Sequence, residues 1–249
     1  MTRLETELRI DGIPFLAVAE GRPEEAAARA GCVVVVHGLG GHKGVQLPEL
    51  QRLARAGFLA LGIDAAGHGA RRWDDFDELF RADDERAARA FRAVVSETTA
   101  DVTTLVEAAL ERGWGSPGRI GLAGVSLGGY VAYGAAVAER RLGAVVSITG
   151  SPDWRQGEPE SPHLVPERFW PVPLLTAVAA HDEVVPPGAA RALHAALTPR
   201  YAAAPERLRL VERASGHMMT PGDWDATWRD AVDWFGRYLG PARRRSRGA

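Results

Sequence analysis

Three short stretches carry residue types that could do chemistry together. Residues 124–129 read Gly-Val-Ser-Leu-Gly-Gly, with Ser126 at the centre of a G-x-S-x-G spacing. Residues 181–186 read His-Asp-Glu-Val-Val-Pro, and His217 stands in Ser-Gly-His-Met-Met-Thr-Pro. A serine hydroxyl is a poor nucleophile until a base takes its proton, and the base needs an acid to hold it. Serine, then acid, then histidine is the chain order of a nucleophile elbow in an α/β sheet. Ser126, Asp182 and His217 meet that order. Asp182 fits a D-x-V-V-P spacing better than the adjacent Glu183, and Asp153 is a weaker third choice. Of the seven histidines, His37, His42 and His68 precede the serine. His163 lies in a proline-rich loop, His181 adjoins Asp182, and His194 falls inside a helix. His217 alone sits in the loop after the last strand.

An attacked carbonyl develops negative charge, which needs N–H donors at that spot. Residues 37–44, His-Gly-Leu-Gly-Gly-His-Lys-Gly, form a glycine-rich turn after a strand. The backbone N–H of Leu39 and that of Leu127, next after the nucleophile, are the expected donors. A phosphate loop is the competing reading of that turn. It needs Lys followed by Ser or Thr, and Lys43 is followed by Gly44.

These residues need a scaffold that delivers them to one edge. Residues 3–10 and 13–19 alternate like an antiparallel pair joined at Asp11-Gly12, and 20–31 read as a polar loop. Val33–Val36 is an uninterrupted apolar run, as in a strand covered on both faces. Strands are then expected at 58–63, 119–125, 144–149, 174–179 and 207–211. Helices are expected at 45–56, 98–112, 127–140, 187–197 and 223–239. This alternation implies one doubly wound, mostly parallel sheet with helices on both faces, in a single domain over residues 1–249. Two segments break the rhythm. Residues 66–97 are acidic early and helical later, and 150–170 hold four of the 16 prolines. Both leave the sheet at the edge where α/β folds bind ligands, so both are candidate lids or site borders. Their aromatics Trp73, Phe76, Trp154, Phe169 and Trp170 are candidates for an acyl pocket.

Composition excludes several classes. With 30 basic and 32 acidic residues the chain offers no electrostatic case for nucleic acid. No apolar run reaches the roughly 20 residues of a membrane span, and no secretory signal is visible. The single cysteine, Cys32, opens a strand and cannot form an internal disulfide. A cytoplasmic protein is expected. Its basic end, 241–249, reads as a frayed tail.

The ordered stretches HGLGGHKG, DAAGHGARR, GVSLGG, HDEVVP and SGHMMTP resemble the α/β-hydrolase family over nearly the whole chain. The resemblance is strongest to small bacterial serine esterases near dienelactone hydrolases and acyl-peptidase-like enzymes. It implies an eight-stranded sheet with the second strand antiparallel, Ser126 as nucleophile, His217 as base and Asp182 as its partner. Dienelactone hydrolases themselves use a cysteine nucleophile, so the serine argues against that activity. The larger cap domains of the family are absent, leaving room for a modest lid only. The expected reaction is hydrolysis of small carboxylic esters through an acyl-enzyme, without cofactor or metal. Thioesterase, peptidase and acyltransferase chemistry use the same triad, and a small-molecule binding protein on this fold is the alternative from another class. Oligomeric state is not legible.

Overall fold

The computed structural model describes residues 3–81, 84–154 and 160–240. β1 (Arg3–Ile10) and β2 (Ile13–Glu20) pair antiparallel across Asp11-Gly12. Both turn residues have positive φ, 47° and 81°, the backbone that a two-residue hairpin turn favours. The loop expected at 20–31 is instead mostly helix α1 (Pro23–Ala30). Pro23 sits where the first turn needs no N–H, Glu24 and Glu25 face the positive helix end, and Gly31 ends it at φ 106°. Ala26 and Ala27 give this helix its small buried face, which a polar composition hides.

The alternation then runs β3 (Cys32–Val36), α2 (Leu47–Arg55), β4 (Leu59–Ile63), α3 (Phe76–Leu79), α4 (Glu85–Glu111) and β5 (Ile120–Val125). It continues α5 (Leu127–Ala138), β6 (Leu142–Ile148), β7 (Leu174–Ala179), α6 (Gly188–Leu197), β8 (Leu208–Arg213) and α7 (Pro221–Tyr238). Among the described residues the strands form one eight-stranded sheet, ordered β1-β2-β4-β3-β5-β6-β7-β8. β2 is antiparallel to both neighbours, and every pair from β4 to β8 is parallel. The loops after β3, β5, β6, β7 and β8 therefore emerge on one edge.

The valine run shows why the sheet needs two covers. Val34 and Val36 join the core under α1, α4 and α5, while Val33 and Val35 join the core under α2 and α7. Successive strand side chains point to opposite faces, so a run without polar residues is what burial on both sides demands.

α4 corrects the expected start at residue 98. It begins at Glu85, where the Asp84 carboxylate caps it by accepting the Ala87 N–H at 2.9 Å. The segment 66–97 is thus a turn at Gly69–Arg71, then α3, then the first half of α4, with residues 82–83 outside the described set. The segment 150–170 holds short helical turns at Pro162–Leu164 and Pro166–Arg168. Its residues 155–159, like the basic tail at 241–249, lie outside the described residues. Among the described residues no helix is long and apolar enough to cross a membrane.

Candidate active site

The turn between β5 and α5 places Ser126 at φ 53° and ψ −111°, a backbone conformation that costs about 1–3 kcal/mol for a non-glycine residue. Its surroundings hold it there. Its N–H donates to the Ile148 carbonyl at 2.8 Å, and its carbonyl accepts the Gly129 N–H at 2.7 Å. The flanking glycines are sterically required. A Cβ on Gly124 would lie 1.8 Å from the Gly128 carbonyl oxygen, and one on Gly128 would lie 2.2 Å from that of Val36. The G-x-S-x-G spacing thus follows from close approach of strand, turn and helix.

Asp182 and His217 arrive from the loops after β7 and β8. Ser126 Oγ is 2.9 Å from His217 Nε2, and His217 Nδ1 is 2.8 Å from Asp182 Oδ2. Asp182 is buried, and its other oxygen accepts the Val184 and Val185 N–H groups at 3.0 and 2.8 Å. The carboxylate is therefore oriented before it meets the imidazole. With Asp182 accepting at Nδ1, the neutral ring carries its proton there and presents Nε2 to the serine as an acceptor. The His217 loop is closed by its own polar groups. Ser215 Oγ donates to Asp223 and accepts the Thr220 N–H at 3.3 Å, while Thr220 caps α7 by accepting the Asp223 N–H. Glu183 and Asp153 are not the partners of His217.

The expected oxyanion donors sit beside the serine. Gly38, Leu39 and Ser126 line the same cavity, and Leu127 opens α5, where a first-turn N–H has no carbonyl within its own helix. The Gly128 N–H is committed to the His37 carbonyl at 3.1 Å. His37 also governs the glycine-rich turn. Its Nε2 accepts the Ala65 N–H at 3.1 Å, so its proton lies on Nδ1, which donates to the Gly38 carbonyl at 2.7 Å. The Gly41 N–H donates to the same carbonyl at 3.0 Å. In a planar trans peptide the Leu39 N–H points opposite to the Gly38 carbonyl, so fixing one fixes the other. Burial pushes the His37 imidazole down to about 4, keeping it neutral for this task.

Behind the turn lies a tie that sequence reasoning missed. The Asp64 carboxylate is wholly buried and accepts the Lys43 N–H at 2.7 Å, the Lys43 ammonium at 3.2 Å and the Ala70 N–H at 2.9 Å. Burial pushes this carboxyl up, but those donors outweigh it and hold it below the usual carboxylate range. Asp64 thereby joins the turn after β3 to the DAAGHGARR loop. The only lysine in the sequence was the available signal.

A cavity of about 800 Å³ opens over Ser126 and His217. Trp154, one of the five nominated aromatics, lines it. The other four nominated aromatics stand elsewhere and are corrected here. Trp73 covers Gly67, where a Cβ would sit 2.7 Å from its ring. Phe76 is buried, with its ring centroid 4.7 Å from that of His68 and the Arg72 guanidinium 4.0 Å above it. Phe169 is fully buried at 6.5 Å from Tyr133, and Trp170 stands edge-on to Tyr201 at 5.2 Å. Aromatic rings in these segments pin the loops to the core. The cavity wall instead takes Phe91, Tyr130, Met218, Met219 and Trp224, none of them nominated. Tyr130, one turn along α5 from Ser126, was within reach of helical spacing. Phe91 lies in the later, helical part of the 66–97 segment, ahead of the helix expected to start at residue 98.

Cys32 is buried in β3, where desolvation pushes its thiol up to about 12. It is a core residue remote in role from the serine turn. Among the described residues no three His, Cys, Asp or Glu side chains cluster as metal ligands.

Sheet order, elbow and strand-end loops define an α/β-hydrolase fold. The chain belongs to the dienelactone hydrolase family, whose pattern matches residues 16–205. The Bacillus subtilis (strain 168) protein named "Putative esterase YitV" is 29% identical over 269 residues, covering 96% of this chain and 100% of that protein. In solved structures, TT1662 from Thermus thermophilus superposes with a TM-score of 0.78 at 24% identity, covering 98% of this chain and 100% of that one. The Pyrococcus horikoshii acylaminoacyl peptidase gives 0.72 at 16% identity, covering 98% of this chain but 42% of the peptidase. These structures share the fold. Family and relative together support hydrolase activity of the esterase kind.

Proposed function

We propose that this protein is a serine hydrolase that cleaves carboxylic esters of small acyl groups through an acyl-enzyme. The observation that carries the reading is the continuous chain from Ser126 Oγ through His217 to Asp182, at 2.9 and 2.8 Å. Ser126 attacks the ester carbonyl while His217 Nε2 takes its proton. The buried Asp182 carboxylate holds the ring and stabilises the imidazolium. The Leu39 and Leu127 N–H groups receive the oxyanion. The imidazolium then returns its proton to the departing alcohol. Water, deprotonated by the same nitrogen, attacks the acyl-enzyme and frees the acid and Ser126. The proposal includes a cytoplasmic location, checked by cell fractionation.

The test is hydrolysis of p-nitrophenyl esters from acetyl to decanoyl. Ser126→Ala is expected to lower kcat by about 10⁴-fold or more, and Asp182→Asn by about 10²–10⁴-fold. A fluorophosphonate should label the wild type at Ser126 and leave Ser126→Ala unlabelled. Undiminished hydrolysis by Ser126→Ala would remove the mechanism.

A further inference from the structure

The turn that carries the Leu39 N–H has little of its own to hold it. Four of the eight residues in 37–44 are glycine, the residue with the most backbone freedom. Within it, the Gly41 N–H closes on the Gly38 carbonyl at 3.0 Å and Gly40 takes φ 77°, the third-residue backbone of a type II turn. Packing does not fix Leu39, which is 43% exposed. Oxyanion stabilisation depends on N–H groups that are already aimed when the charge develops, so a wandering donor is a poor one.

Two outside clamps supply the missing order, and both come from consecutive residues after β4. At the start of the turn, the Ala65 N–H donates to His37 Nε2 at 3.1 Å, and His37 Nδ1 holds the Gly38 carbonyl at 2.7 Å. At its end, the Asp64 carboxylate takes Lys43 twice. One oxygen accepts the backbone N–H at 2.7 Å and the other accepts the ammonium at 3.2 Å. Leu39 therefore lies in a span pinned at both ends to one dipeptide. A buried ion pair is a weak stabiliser beside apolar residues of the same volume, so stability alone does not account for this one. A second carboxylate, Glu7, lies 3.6 Å from the ammonium, but its side chain is 73% exposed and solvent screens it.

We propose that Lys43 and Asp64 are positioning residues for catalysis, and that their pairing holds the Leu39 N–H where the oxyanion forms. This rests on the serine-hydrolase reading. Neither side chain lines the cavity over Ser126. The pair therefore acts on the transition state through Leu39 and leaves binding of the intact substrate alone. Without the ammonium, the far end of the turn keeps only its N–H bond to Asp64. A shift of about 1 Å in a catalytic group costs up to about 10²-fold in rate.

The experiment compares wild type, Lys43→Met, Lys43→Arg, Asp64→Asn, the Lys43→Met/Asp64→Asn double variant and Glu7→Gln, with p-nitrophenyl butyrate as substrate. Exhaustive fluorophosphonate labelling counts the competent sites, so kcat refers to folded enzyme, and thermal melting gives Tm. Two ketones are competitive inhibitors. Methyl pentyl ketone occupies the site as a ground-state analogue. Trifluoromethyl pentyl ketone bonds Ser126 Oγ at its carbonyl carbon; the carbonyl π pair becomes the oxyanion and the serine proton passes to His217. Lys43→Met is expected to lower kcat about 10–100-fold and to weaken the fluorinated ketone by the same factor. KM and the affinity of the plain ketone should change by less than about twofold. Asp64→Asn should match Lys43→Met, and the double variant should lose no more than either, because one interaction is being removed. Lys43→Arg keeps a cation and should recover most of the rate, and Glu7→Gln should behave as wild type. A tie that only stabilises would lower Tm and the number of competent sites while leaving kcat per site intact, and that result overturns the proposal. Equal weakening of both ketones also overturns it. If Lys43→Met fails to fold, Lys43→Gln takes its place with the same expectation. Ser126→Ala separates the two readings. Hydrolysis that survives there removes both, whereas an inactive Ser126→Ala with full kcat in Lys43→Met removes the positioning role alone.

Discussion

Two aromatic-rich segments leave the same edge of the sheet, one after β4 and one after β6, and they are put to different uses. The first turns inward. Asp64 clamps its start, Arg71 Nε donates to the Asp64 and Ala65 carbonyls at 3.1 and 3.2 Å and its guanidinium pairs with Asp101, and Phe76 packs on His68. The second sends Trp154 into the wall of the cavity, with its backbone N–H held by Ser161 Oγ at 2.9 Å, and anchors itself through Phe169 and Trp170. Similar composition and similar exits thus yield a brace and a wall. What separates them is the kind of anchor: the first segment closes around the buried Asp64 carboxylate, whereas the described residues of the second are held by the Ser161 hydroxyl and by the Tyr201 hydroxyl donating to the Phe169 and Val172 carbonyls.

The contrast predicts that damage to the first segment costs stability and damage to Trp154 costs substrate binding. The largest effect is expected from Gly69→Ala. A Cβ there would lie 2.2 Å from the Asp64 carboxylate, on a backbone at φ +54°. Combined strain and overpacking should destabilise by about 2–6 kcal/mol in urea titration, without changing KM in the molecules that remain folded.

Acid should act on the same brace. Burial holds the His37 imidazole at about 4, and burial likewise lowers that of His68. In α6, burial puts His194 at about 4. Their unfolded-state values are higher, near 6.5. Between about pH 6.5 and 4 the unfolded chain binds protons that the native His37 and His194 refuse, and His68 acts in the same direction. Stability is therefore full above this window and falls as pH drops through it, by about 1.4 kcal/mol per pH unit for each of His37 and His194. Denaturation at stepped pH should show that slope, and His194→Gln should remove one histidine's share of it. A flat profile would mean that these rings charge freely in the folded protein.

Trp154→Leu should sharpen the other side of the comparison. Its KM for the best acyl chain is expected to rise about tenfold, a change of about 1.4 kcal/mol, with kcat altered less. Gly134 approaches that ring closely, since a Cβ there would lie 2.6 Å from Trp154 Cζ2. Gly134→Ala should therefore shift the acyl-length profile without touching the triad. The smallest effect is Phe76→Leu, about 1 kcal/mol of stability with kcat/KM unchanged. If Phe76→Leu instead raised KM, the brace would have to be counted as part of the site.

Much of the scaffold was legible from residue pattern. The valine run, the Asp11-Gly12 turn and the alternation of strands with helices are local signals, and each appears where its physics puts it. The errors have local causes as well. α1 was hidden because its buried face is only two alanines, and the start of α4 because an acidic stretch precedes the Asp84 cap. The residues of the proposed triad were legible because strand–turn–helix context and chain order constrain them strongly. Four of the five pocket aromatics were misplaced because an aromatic ring in a loop is driven toward burial, and composition does not say against which surface.

The sequence by itself determined the elbow, since Gly124 and Gly128 are required wherever strand and helix close around Ser126. It also determined that acid and histidine follow on later strand ends, because a parallel sheet delivers all such loops to one edge. Only the tertiary structure decided which oxygen orients His217 and that Lys43 closes on a buried Asp64. Those relations join residues far apart in the chain. Their energies depend on burial and on distances of a few ångströms, which no local pattern encodes.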